Sequence, residues 1–306
     1  MQIYEHEIPS GSRLYFGKSA KIKRRIERLA SELLEEKGFS EIITPFFSYH
    51  QRFGLKEQKL LRLSDESNHE VSLRGDSTID VVRIATRRLK GQNQSKWFYI
   101  QPVFCYPSME FYQIGAEMLG SSELGLCVSI ADELLSKLEL STHLQISNMR
   151  IPHILCELLG LDMSVFEQGR IEILLAKNIP WLSSLAKAST KSDIKALLSL
   201  VPAELKDSLE LMLRLGKDYK NAVYAPIYYS KMRYYEGLFF RFLKENSILA
   251  SGGVYEIEAL TCAGFAVHCD NLIESLTKEF QNSLSSSGLT RGSLYGILEF
   301  LEILDF

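Results

Sequence analysis

The stretch MEFYQIGAEMLG, Met109 to Gly120, decides how this chain is read. Its alternation predicts a strand, in which side chains two residues apart share a face. Phe111, Gln113, Gly115 and Glu117 then lie on one side, with Tyr112, Ile114 and Ala116 on the other. The first face carries an amide, a bare glycine and a carboxylate in a row. Either it is the solvated face of an antiparallel sheet, or Gly115 leaves room for a ligand that the polar groups recognise.

Working outward, KWFYIQPVFCYP (residues 96–107) is a second strand-like run, and a short Pro/Ser turn makes the two a hairpin. Upstream, Ile22, Ile26, Leu29, Ala30, Leu33 and Leu34 recur at helical spacing, which predicts a helix over 18–37 that Gly38 stops. SEIITPFF reads as a strand interrupted by Pro45, and EVSLRGDST as a strand ending in a turn before a helix from Ser77 to Leu89. Asp76 at that turn is placed either to cap the helix or to receive an ammonium group, with Thr78 beside it. Downstream come a helix around IADELLSKLEL, a strand HLQISNMR, and a helical block from Ile151 to about Lys217.

Strands return with YYEGLFFRFL, ASGGVYEIEAL and CAGFAVHCD; SGGVYE within them reads as a turn or bulge. Strand alternation allows only one of Tyr234 and Tyr235 to line a given pocket. His268, in an apolar strand run, reads as a packed side chain and not a base. A helix NLIESLTKEF, a Ser-rich hinge and an apolar helix over Leu294–Phe306 close the chain. Strands grouped before and after a helical block predict α+β, not a doubly wound fold.

Composition excludes several classes. The chain has 306 residues, formal charge −3, pI about 6.1 and mean hydropathy −0.03. No apolar run reaches membrane-spanning length and the N-terminus has no signal core, so the expectation is a cytoplasmic protein. The densest basic run, KIKRR at 21–25, falls on the predicted helix and reads as a solvated face, so no nucleic-acid partner is expected. Five cysteines without a C-x-x-C pair or a Cys/His cluster support neither disulfides nor a metal site. G-x-S-x-G, H-E-x-x-H and phosphate-cradling glycine motifs are missing too.

In order and spacing, these segments resemble the catalytic core of class II aminoacyl-tRNA synthetases of the histidyl line. GFSEIITPFF is similar to that family's motif 1, whose proline contributes to a dimer interface, a place Pro45 takes here. LRGDST resembles LRPEGT, FYQIGAE resembles FHQLGCE of motif 2, RYYEGLFF resembles LDYYNRTVF and GGVYE resembles GGRYDGL. The resemblance implies a mixed, mostly antiparallel sheet flanked by helices, with a helical insertion at about 151–217 and a helical tail at about 272–306. It implies one core domain over 1–306, with too little chain after motif 3 for an anticodon-binding domain.

The departures lie where the synthetases hold ATP. Cys105 stands in place of the motif 2 arginine, Asn271 in place of the motif 3 arginine, and Ser230 in place of the arginine of the histidine loop, with Arg233 displaced by three residues. Each lost arginine removes a permanent charge and a bidentate fork. What matches is the amino-acid side: Asp76, Thr78, Gln113, Glu117, Tyr234 and Tyr235. That combination resembles the regulatory subunits of ATP phosphoribosyltransferase, although Gly75 replaces a usual proline and Met109 a common basic residue. The resemblance implies a non-catalytic chain without cofactor, partnered with a short-form catalytic subunit. It further implies a homodimer within a hetero-octamer, with histidine as the feedback effector. The alternative is an ATP-dependent amino-acid ligase of the class II type, gripping ATP through residues such as Arg74 or Arg83.

Overall fold

Helix α1 (Gly17–Glu36) turns Ile26, Ala30, Leu33 and Leu34 into the core and leaves Lys21, Arg24 and Arg25 in solvent. The computed structural model describes residues 8–49, 51, 57–230, 232 and 234–286, with side chains to residue 279. Arg233 and the helix expected over Leu294–Phe306 therefore lie outside the described residues.

The predicted hairpin forms β5 (Lys96–Cys105) and β6 (Met109–Leu119), paired with Gln101 opposite Gln113 and Tyr99 opposite Gly115. It is the heart of an eight-stranded sheet. On its free side β11 (Leu260–His268) pairs with β6, then come β10 (Ser247–Ile257), β9 (Tyr235–Lys244), β7 (His143–Asn148) and β8 (Val223–Tyr224). β1 (Ser40–Glu41) closes the opposite edge against β5. Among the described residues, only the β1–β5 and β7–β8 pairs are parallel. The sheet is thus mixed and mostly antiparallel, flanked by helices.

The segment read as one strand through Pro45 is split between two sheets. Its second half, β2 (Phe47–Ser48), joins β3 (Arg62–Ser64) and β4 (Glu70–Leu73) in a small separate sheet. Arg74 holds the split in place. Although fully buried, its guanidinium donates to the carbonyls of Thr44 (2.8 Å), Pro45 (3.2 Å) and Pro102 (2.7 and 3.0 Å) and to Thr44 Oγ1 (3.1 Å).

SGGVYE is strand rather than turn: it runs inside β10, with a register shift against β9 between Gly253 and Tyr255. The two glycines are there for packing. A Cβ on Gly252 would sit 2.3 Å from the Gly264 carbonyl, and one on Gly253 2.7 Å from the Tyr235 ring.

Helices α1, α3 (Leu124–Lys137) and α10 (Cys269–Ser286) cover one face of the sheet. Between β7 and β8 six helices run from α4 (Arg150–Leu159) to α9 (Ala203–Leu215), the expected helical block. Leu155, Leu182, Ile194, Leu205 and Met212 from these helices join Phe98, Ile114, Phe240 and Phe265 of the sheet in a continuous core. The opposite face, under α2 (Ser77–Arg87), is left open over β6, β11, β10 and β9.

Candidate functional site

On that face lies a cavity of about 420 Å³, a size suited to a small molecule. Asp76, Thr78, Gln113, Glu117, Tyr234 and Tyr235 all line it. The alternation expected along β6 holds, since Gln113 and Glu117 point into the cavity while Ile114 and Ala116 enter the core.

Gly115 plays a different part from the one its sequence position suggests. A Cβ there would fall 2.2 Å from Cζ of Tyr99, directly across the β5–β6 pair, so the glycine admits the Tyr99 ring and not a ligand. The pair of tyrosines also departs from expectation. Tyr234 sits in the turn before β9 starts at Tyr235, so strand alternation does not apply, and both rings line the cavity with centroids 4.7 Å apart.

Asp76 caps the helix with one oxygen and meets a tyrosine hydroxyl with the other. Oδ1 accepts from the backbone N–H of Ile79 (3.2 Å), capping α2, and Oδ2 accepts from the Tyr234 hydroxyl (3.0 Å). Glu117 is enclosed by hydroxyls: Thr78 donates to Oε1 (2.8 Å), Tyr255 to Oε2 (2.6 Å) and Tyr99 to Oε1 (3.5 Å). Gly264 opposite it on β11 is obligatory, because a Cβ there would meet Oε2 at 1.8 Å.

Both carboxylates are buried, with Asp76 7% and Glu117 1% exposed. Burial pushes Asp76 up to about 6 and Glu117 up to about 8, against the pull of their hydrogen bonds. Among the described residues, no cation pairs with either of them. Two acids sharing a cavity without a counterion prefer a ligand that brings its own positive charge.

Sequence reasoning missed Tyr99, Tyr255, Gly264, Ser251 and Arg241, which reach this site from strands far apart in the chain. His268, read as simply packed, is half-buried and lines the cavity as well. Burial lowers its pKa and favours the neutral imidazole. Neither arginine considered for a nucleotide is placed to hold one. Arg74 spends its guanidinium on backbone carbonyls away from the cavity, and Arg83 pairs with Glu258 at the β10–β11 turn. Asn271 Nδ2 donates to the Ile248 carbonyl (2.8 Å).

Comparison with known proteins gives the family. The family model for histidyl-tRNA synthetase matches residues 16–223. The ATP phosphoribosyltransferase regulatory subunit of Wolinella succinogenes is 47% identical over 281 residues, covering 90% of this chain and 98% of that protein. The chain belongs to the family of ATP phosphoribosyltransferase regulatory subunits. The regulatory subunit of Helicobacter hepaticus is 39% identical over 278 residues, with 90% and 99% coverage.

Solved structures place the fold of this regulatory-subunit chain among class II synthetases. An ATP phosphoribosyltransferase regulatory subunit/histidyl-tRNA synthetase from Bacillus halodurans superposes with a TM-score of 0.81 at 21% identity, over 90% of this chain and 84% of that one. A histidine–tRNA ligase subunit from Alicyclobacillus acidocaldarius gives 0.75 at 18% identity, over 92% and 100%. At such identities the likeness is one of fold. No helix among the described residues is long and apolar enough to cross a membrane.

Proposed function

We propose that the chain is the non-catalytic partner of a short-form ATP phosphoribosyltransferase catalytic subunit in the cytoplasm, and that its cavity takes histidine as the feedback effector. The observation that carries this is the pair of buried acids, Asp76 and Glu117, without a cation of their own. Histidine offers two nitrogen-bearing groups to two carboxylates. Asp76 receives the α-ammonium, with Gln113 on the adjoining wall, and Glu117 accepts from the imidazole within its ring of hydroxyls.

Regulation then requires histidine to bind two states of the assembly with different affinity. Residues 228–230, Met232 and Tyr234 line the cavity, and Tyr229 approaches α4, its ring 5.9 Å from that of His153. A ligand closing on that segment has a path from the cavity to the helical block. The assembly proposed is a homodimer within a hetero-octamer. Its dimer contact lies at the surface around Pro45, where Ile43, Phe46 and Phe47 are 78%, 53% and 59% exposed.

Mixing the chain with a short-form catalytic subunit tests the proposal. Phosphoribosyl transfer is expected to rise on addition of the chain and to fall again with histidine. Transfer that ignores both additions contradicts it.

A further inference from the structure

The cavity has a second wall whose chemistry complements the acids. Arg241 of β9 lines it, directly opposite Ser251 of β10, whose Oγ lies 3.4 Å from Nε2 of His268 on β11. His268 in turn pairs with Gln113 of β6. A polar row therefore crosses four adjacent strands and ends in a guanidinium.

Arg241 is the only arginine or lysine among the described residues lining this cavity. Its orientation is fixed: Nη2 donates to Gln145 Oε1 (2.7 Å), and its central carbon lies 4.0 Å from the centroid of the Tyr228 ring. Tyr228 is itself stacked on Phe239, centroids 5.7 Å apart. Yet Nε is buried with no partner, and no carboxylate pairs with the group among the described residues. A rigidly held arginine with an unused donor is prepared for a planar anion.

The strands that carry Arg241 and Glu117 are three steps apart in the sheet. Arg241 stands at the register level of Gly115, three strands away, or about 14 Å across the sheet, and one dipeptide step from the level of Glu117. Both side chains line the one cavity over that span. Acids without a cation face a cation without an acid, the inverse of a zwitterion.

We propose that Arg241, positioned by Gln145 and Tyr228, binds the α-carboxylate of the ligand and so makes the cavity select amino acids over the corresponding amines. This rests on the proposed histidine site. Calorimetric titration of the full chain with histidine and with histamine, which lacks only the carboxylate, tests it. Wild type is expected to prefer histidine by about 10- to 100-fold, as for a charge-assisted pair. Arg241→Met should remove most of that preference by weakening histidine alone, while Arg241→Lys keeps part of it. Histamine binding to the variants reports that the cavity is intact. An unchanged preference in Arg241→Met, or equal losses for both ligands, overturns the Arg241 assignment and leaves the histidine site standing. Wild type that binds neither ligand overturns both.

Discussion

The hydroxyl of Tyr234 donates to Oδ2 of Asp76 at 3.0 Å, joining the turn before β9 to the N-terminus of α2 across 158 positions of sequence. The same carboxylate caps the helix through its other oxygen. Local helix chemistry and the proposed ligand site therefore share one residue, and a small set of substitutions separates them.

Tyr234→Phe removes the hydroxyl and keeps the ring. The helix cap survives, so the melting temperature should move little, while histidine affinity drops about 10- to 100-fold, the worth of one hydrogen bond to a charged group. Calorimetry beside thermal unfolding checks it. A variant that loses stability but keeps affinity would assign Tyr234 to the fold alone.

Glu117→Gln should stabilise the empty protein and disable it. Burial raises the carboxyl from its ordinary 4.5 to about 8, so between those values the folded chain holds a proton that the unfolded chain releases. The contribution to stability is complete below pH 4.5 and drains away as pH climbs through about 8. The amide has no such dependence. Melting temperatures of the two proteins should agree near pH 4 and diverge by a few degrees in favour of Glu117→Gln at pH 8. Parallel curves would refute the buried acid.

Asp76 sets the lower limit of binding. It titrates near 6 in the empty cavity, and an ammonium group is held only by its ionised form. Histidine affinity should fall as pH drops from 7 to 5, and Asp76→Asn should bind weakly and without that slope. Calorimetry across the range decides.

Gly115→Ala places a Cβ 2.2 Å from Cζ of the buried Tyr99 ring, which must shift to admit it. Overpacking of this kind costs about 1–3 kcal/mol. Urea unfolding should show it, and Tyr99→Leu in the same chain should restore most of the loss. Absence of rescue would mean that the glycine serves something other than the ring.

Much of the fold is written locally. α1 and the β5–β6 hairpin are legible because helical and strand periodicities show within a dozen residues. The small sheet is not, since its making depends on Arg74, buried far from its partners in sequence. At the site, Gln113 and Glu117 are legible from alternation, and Asp76 from its place before a helix. Tyr255, Gly264 and Arg241 are invisible until the strand order β6-β11-β10-β9 brings them face to face. The Tyr234–Tyr235 rule failed because one of the two residues is not in a strand.

What fills the cavity decides what the chain senses. Titrating histidine, and separately ATP, into the purified chain at pH 7 is the most direct measurement. Saturable binding of one histidine per chain, abolished in Glu117→Gln and with no comparable signal from ATP, is the result predicted. Tight ATP binding with no response to histidine would contradict it.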